Sequence, residues 1–469
     1  MSTAAETPRF NVGPSSARTI QNLAPEIIDN IISKVRDKVD LKNLRLVSKD
    51  LDAHARRKLF EEVILKPDGD SISHWESTAD HAVLSQIPRR ALIQSREDVE
   101  DWEGYDEVDE PDEEYQEAVE ALSKFPRLSA VEIAFTPICV GVRERVEEWA
   151  PEVSEDVWQR LYLLEWVFRA IRNRKSVEGA SPIRSLTLRH LQNFPYDKFP
   201  SSKLFFSVMQ QLEELHVGLV QEYNRHGPDH DYSCIELITF PPHFCSMWLQ
   251  PIAPNLKALS LYSTTDNWGC FPGYFDPSAI VFPKLETLSL GYYTLAYDDQ
   301  LDWLLNKCKS LTTLVLHNCM IVRHMSMEPR HLNLWNASTR GWQRVSPAEE
   351  TSVAEHAYNG RWSDFFDKIA AALPNLREFR FDQFKEYGVN NRHLGGARAY
   401  PARYVTFSDG ILPDRWEEAK DDGTIDCWSS REFKYVALPN YHEETLEEDQ
   451  KSLDRLLELC RARREAAGK

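Results

Sequence analysis

A short motif, LxxLxL, recurs between residues 128 and 381 and constrains the fold more than any other feature of the 469-residue chain. Its seven copies are Leu128-Val131-Ile133, Ile183-Leu186-Leu188, Leu212-Leu215-Val217, Leu256-Leu259-Leu261, Leu285-Leu288-Leu290, Leu311-Leu314-Leu316 and Leu376-Phe379-Phe381. In an extended segment alternate side chains face opposite ways, so the last two apolar residues of each copy share one face. Pro126, Pro182, Pro254, Pro283 and Pro374 precede five copies by one or two residues, placing a chain-turning residue just before each short strand. Helical periodicity precedes two copies: Leu301, Leu304, Leu305 and Cys308 share a face ahead of Leu311, as do Phe366, Ile369 and Leu373 ahead of Leu376. Helix then strand is the expected unit, which makes the body α/β with short parallel strands. Successive copies begin 55, 29, 44, 29, 26 and 65 residues apart, so insertions or degenerate units are expected between them.

The copy at Leu311 extends through Cys319 and Ile321 and meets the pattern LxxLxLxx(N/C)xL, with the cysteine where a side chain bonds the turning backbone. It resembles a leucine-rich repeat. The resemblance implies an irregular solenoid whose concave face is lined by the residues between and after the core leucines. Those positions are Thr187 and Arg189, His216 and Gly218, Ser260 and Tyr262, Ser289 and Gly291, Val315 and His317, and Arg380 and Asp382. All but the two glycines are the expected substrate-binding residues, because concave solenoid faces serve as binding surfaces.

Ahead of the repeats, Leu23, Ile27, Ile28, Ile31, Ile32 and Val35 recur at helical spacing, with Pro25 in the first turn. Asp40 is the expected N-cap of a second helix carrying Leu41, Leu44 and Val47, and Leu51, Ala55 and Leu59 mark a third. The run LAPEII from Leu23, then Ile31-Ile32, then DLKNLRLVSK from Asp40 resembles the F-box. It departs from that family at Ala24, where a proline is usual, and at Leu51, where a tryptophan is common. The resemblance implies docking onto a Skp-type adaptor, and through it onto a cullin and RING core, by Leu23, Pro25, Ile27, Ile28, Ile31, Leu44, Val47 and Leu51. Together the two resemblances place the chain with F-box proteins whose body is a degenerate leucine-rich-repeat domain, a type abundant in fungi.

The expected organisation is a flexible tail (1–18), the F-box (19–62), a linker with an acidic insertion (63–112), the repeat body (113–390) and a C-terminal cap (391–469). Carboxylates crowded between Arg96 and Glu114 repel one another and read as a solvated loop. Helices are expected over 113–124, 156–174 and 443–464. Trp268, Tyr274 and Phe275 fall in an insertion containing Gly and Pro, where they either face solvent or tuck back over the core.

A net charge of -19 without a basic stripe excludes nucleic acid as an expected partner. Apolar runs too short to span a bilayer exclude a membrane, and Met1 to Ser16 lack a secretory apolar stretch, so an intracellular protein is expected, cytoplasmic or nuclear. The eight cysteines form no CxxC pair and read as buried thiols. His226, Asp229, His230 and Cys234 lie close in sequence, but Gly227 and Pro228 interrupt the helix that ligation at i, i+4 would use, and a polar loop is expected instead of a metal site. Common catalytic motifs are absent, so neither a cofactor nor catalytic residues are expected. The expected function is recruitment of an unknown protein substrate for ubiquitin transfer. A non-degradative interaction scaffold, or a hydrolase built on the region after Asn390, are the alternatives.

Overall fold

A computed structural model describes Ile20 and residues 23–97, 113–141, 155–222, 234–263, 267–334 without Pro272, 338–344, 353–383, 399–412, 415–418, 426–429, 434–437 and 442–468. The expected tail (1–18) and most of the acidic insertion lie outside the described residues.

Three short helices come first: α1 (Pro25–Ser33), α2 (Lys38–Val47) and α3 (Lys49–Leu59). Pro25 opens α1 at a position where its missing N–H would have had no partner in any case. Asp37, not Asp40, caps α2, its carboxylate accepting the Val39 N–H at 2.7 Å. Asp40 sits in the first turn, where a carboxylate complements the positive end of the helix. Ser48 ends α2 and caps α3 by accepting the Leu51 N–H. Ile28, Ile32, Leu41, Leu51 and Ala55 close a small core of their own.

The body is α/β, organised on a nine-stranded, wholly parallel sheet whose strands stand side by side in chain order. They are Glu62–Leu65, Arg90–Gln94, Ala130–Ala134, Ser185–Gln192, Glu214–Val220, Ala258–Ser263, Thr287–Gly291, Thr313–His317 and Glu378–Asp382. Helices stand between most neighbours, including Gly69–Asp80, Val157–Asn173, Ile235–His243 and Trp362–Ala372. Parallel neighbours require such a return path across the sheet.

The repeat motif carries this sheet. Each of its core positions, from Leu128 to Phe381, is at most 4 % exposed. The residue after the first apolar position of each copy, outside the strand proper, continues the ladder: Ser129 N donates to Arg89 O, Arg184 to Ser129, Glu213 to Arg184, Lys257 to Glu213, Glu286 to Lys257, Thr312 to Glu286 and Arg377 to Thr312, at 2.6 to 3.0 Å. The same backbone position is thus bonded to its equivalent in the preceding unit along the whole row. Two places after the last core residue, three copies turn through the left-handed region, at His190 (φ 57), Tyr292 (φ 58) and Asn318 (φ 49).

Residues 63–112 were expected to be a linker, and the structure corrects this. The stretch contributes the Arg90–Gln94 strand and most of Glu62–Leu65, with Leu65, Ala91 and Ile93 fully buried. The expected boundary at 390 is also crossed. A second sheet runs in the order Gln343–Arg344, Ala354–Ala357, Met320–Met327, Tyr404–Ser408, Trp416–Glu418, joining residues from both sides of it. Its core comprises Met320, Val322, Met325, Met327, Val405, Phe407 and Trp416, with Phe271 from the preceding insertion. The last helix, His442–Ala467, packs on Trp362–Ala372 and on the edge strand Glu378–Asp382. From it Arg463 donates to the carbonyls of Ala370 and Leu373, and Leu453, Leu456 and Cys460 enter the main core.

Among the described residues no helix is long and apolar enough to cross a membrane. The seven cysteines whose side chains are described are all buried thiols.

Candidate functional site

Two surfaces gather the residues singled out in the sequence. The first is on the helical trio. α1 carries isoleucine in pairs, so both of its sides are apolar: Ile28 and Ile32 turn inward, while Ile27 and Ile31, at i and i+4, face outward at 48 and 41 % exposure, and Leu23, just ahead of the helix, is 41 % exposed as well. Pro25 is exposed beside them, and Val47 is 64 % exposed at the end of α2. Leu44 is half-buried against the small core. Ile28 and Leu51, expected to contact a partner, are 3 % and 2 % exposed and close the internal core instead. Val39 (61 %) and Leu46 (86 %) were missed and add to the exposed apolar surface. Their signal was present: the α2 sequence KVDLKNLRLV has five apolar positions, Val39, Leu41, Leu44, Leu46 and Val47, more than one buried face can hold.

Polar ties fix the trio's geometry. Asp29 of α1 meets His54 and Arg57 of α3, and Asp52 meets Arg45 across the α2–α3 joint and Arg56 one turn on. The hydrogen bond to His54 is the main cause holding the Asp29 carboxyl below its ordinary value, and that to Arg56 does the same for Asp52.

The second surface is the face of the parallel sheet opposite its core leucines. Register aligns Glu132, Thr187, His216, Ser260, Ser289, Val315 and Arg380 in one continuous row. A second row aligns Gly218, Tyr262, Gly291, His317 and Asp382. Arg189, Ser289 and Arg380 are half-buried, as is His216, whose Nδ1 lies 2.8 Å from Ser260 Oγ.

Burial corrects the expectation for the other six. Thr187, Ser260, Tyr262, Val315, His317 and Asp382 are between 3 and 7 % exposed. They bond and pack among themselves: His317 Nδ1 lies 2.9 Å from Asp382 Oδ1, and the Tyr262 ring lies 6.0 Å from the His317 ring and occupies the space a Cβ on Gly291 would need. Glu132, absent from the expected set, is buried in the same row and is paired by Arg90 and by Arg189 at 2.7 Å. Its position between Val131 and Ile133, in the first copy of the motif, was the available signal.

Cys319 is buried at the turn after Thr313–His317. Its thiol donates to Leu290 O at 3.4 Å, binding the turn to the neighbouring unit, and burial pushes its pKa up to about 12. Burial lowers His190, at the equivalent turn of an earlier copy, to about 4, and its Nδ1 lies 2.9 Å from Phe135 O.

Trp268, Tyr274 and Phe275 tuck inward. Phe275 is buried, Trp268 packs edge-on against it at 5.1 Å, and Tyr274 packs on the core of the second sheet. Of the four residues weighed as metal ligands, His226, Asp229 and His230 lie outside the described residues. Cys234 instead stands with Glu222 and Glu236, their donor atoms within 4.8 Å of one another and all three side chains buried. No protein-family model matches the chain, and no curated protein sequence matches it.

Proposed function

We propose that the chain is the substrate-recognition adaptor of an SCF-type ubiquitin ligase, with α1–α3 acting as an F-box and the body acting as an irregular leucine-rich-repeat solenoid that holds a target protein. The observation that carries this reading is the exposed set of Leu23, Ile27 and Ile31 on a trio that already has a closed core of its own. Apolar side chains left over after a core is complete are the signature of a partner surface, and a helix face of this spacing fits an apolar groove between partner helices. Val47, Leu46 and Val39 extend the apolar surface beyond α1.

The body supports the same reading. Parallel strands in unbroken chain order, with one backbone position bonded to its equivalent in unit after unit, suit a repeat solenoid with an extended face for a partner. On that face Arg189, His216, Ser289 and Arg380 are the side chains accessible to a target, while Thr187, Ser260, Tyr262, Val315, His317 and Asp382 brace them from within. In such an assembly the chemistry belongs to the conjugating enzyme and the RING subunit. The receptor raises the local concentration of the target and fixes its orientation.

The test is reconstitution of the full chain with a purified Skp-type adaptor, cullin, RING subunit and conjugating enzyme. A stoichiometric complex on gel filtration, and ubiquitin transfer to a captured target that depends on the chain, are the expected results. A folded chain that elutes apart from the adaptor contradicts the reading. A complex that forms but transfers ubiquitin to no captured target supports a non-degradative scaffold instead.

A further inference from the structure

The strands Ser185–Gln192, Glu214–Val220 and Ala258–Ser263 stand side by side, and Asn193, Leu219, Val220 and Leu261, at or just past their C-terminal ends, border one cleft. The carboxyl ends of the strands are where open α/β sheets hold ligands. The helix Ile235–His243 and the segment carrying Trp268 and Phe275 complete the frame, around a volume of about 610 Å³ that counts the open mouth. Most of the lining is apolar, and Phe240, Phe244, Trp268 and Phe275 make it aromatic.

Those rings are held in place by the protein itself. The Trp268 indole N–H donates to Gly291 O at 2.7 Å, its ring meets Phe275 and Tyr293 edge-on at 5.1 and 4.9 Å, and Phe240 stacks on Phe244 at 5.5 Å. The backbone that carries them is irregular. Pro241 and Pro242 lie inside the helix, so the carbonyls of Leu237 and Ile238 find no N–H four residues on. Directly afterwards the chain widens into a π-helix, Phe244–Leu249, a rare conformation that recurs at functional sites. Gly273, at φ 65, passes against the Leu237 carbonyl, where any Cβ would collide.

Charge narrows what such a cleft takes. Among the described residues no Lys, Arg or His borders it, so an anion would enter a largely apolar setting without a counter-charge. Its one charged side chain, Glu236, is buried and already engaged within the protein, so it requires no cation. Asn193 is different: its backbone N–H donates to Val220 O at 2.9 Å, while its half-buried side-chain amide has no hydrogen bond among the described residues. That amide can both donate and accept.

We propose that this cleft binds a small uncharged aromatic molecule, its ring against Phe240, Phe244 and Trp268 and its hydroxyl or amide group on Asn193. Apolar walls with a few polar groups are the general form of ligand pockets, and ring-on-ring packing favours an aromatic body. The proposal does not depend on the ligase reading, and either can fail alone.

The experiment is isothermal titration of the full chain with three probes of one shape: 2-naphthalenemethanol, 2-naphthoate and protonated 2-naphthylmethylamine. Saturable binding of the alcohol is expected, with both ions at least about tenfold weaker because each must bury an unpaired charge. Asn193→Ala is expected to weaken the alcohol about two- to tenfold, the worth of one hydrogen bond. Trp268→Leu, its fold checked by circular dichroism, is expected to weaken it at least about fivefold through the lost ring contact. The comparison of the three probes needs no variant, so it stands even if Trp268→Leu fails to fold. No saturable binding of the alcohol, an ion that binds as tightly as the alcohol, or alcohol binding that both variants leave unchanged would each overturn the proposal.

Discussion

Arg403 Nε donates to Asp449 Oδ2 at 2.7 Å, with both side chains wholly buried where the last helix meets the second sheet. Asp449 also accepts from the Tyr404 hydroxyl and from the Ser363 N–H, and Arg403 donates to Thr445 Oγ1 and Tyr400 O. The pair therefore joins the strand Tyr404–Ser408, the helix Trp362–Ala372 and the helix His442–Ala467. Breaking a buried pair leaves an uncompensated charge, at a cost of about 3–5 kcal/mol. Asp449→Ala should lose that much stability in urea unfolding and expose the sheet edge at Glu378–Asp382 to amide exchange. A loss under about 1 kcal/mol would mean that the joint is not structural.

Gly291 and Tyr262 make a second coupled pair, since the ring fills the space a Cβ would need. Gly291→Ala should displace the ring from His317 and cost about 1–3 kcal/mol, the usual range for overpacking. Tyr262→Ser should relieve most of that cost, so the two substitutions should be clearly non-additive in a double-mutant cycle. Additive effects would contradict the packing described here.

Burial pushes the thiols of Cys139, Cys245, Cys270, Cys308 and Cys319 up to about 12, against an ordinary value of 9.0. A group whose folded pKa is raised keeps its contribution below the unfolded value and loses it as pH climbs toward the folded one. Stability should therefore be flat with respect to these thiols up to about pH 9. Between pH 9 and 12 it should fall by up to about 1.4 kcal/mol per pH unit for each thiol. Urea midpoints at pH 8 and pH 10 test this, and Cys319→Ala should flatten the slope. A midpoint that does not move would show these thiols to be solvated.

The strands carrying the complete repeat were legible because each copy sets three apolar residues at one spacing, and in five of the seven a proline marks the turn just before it. The first two strands were not, because Val63 with Leu65 and Ala91 with Ile93 keep only the inward pair and lack the leading leucine. Met320–Met327 was hidden for a different reason: it is buried along nearly its whole length, so it shows neither alternation nor repeat. The site was legible in position but not in depth. Strand periodicity placed Thr187, Ser260 and Val315 in one row, but whether such a row meets water depends on neighbours distant in sequence, such as Tyr262 lying over Gly291. In α1 the paired isoleucines marked both faces apolar, and only the packing of α2 and α3 separates the buried Ile28 from the exposed Ile27.

The most direct measurement is the affinity of the full chain for a Skp-type adaptor, compared with that of the double variant Ile27→Asp/Ile31→Asp. Both isoleucines project outward, so the variant should fold as the native chain does, with the same urea midpoint. A stoichiometric native complex is expected, and a loss of affinity of at least about a hundredfold in the variant, since two buried apolar anchors are worth about 1.5–3 kcal/mol each. A folded variant that binds as tightly as the native chain, or a native chain that binds no such adaptor, would contradict it.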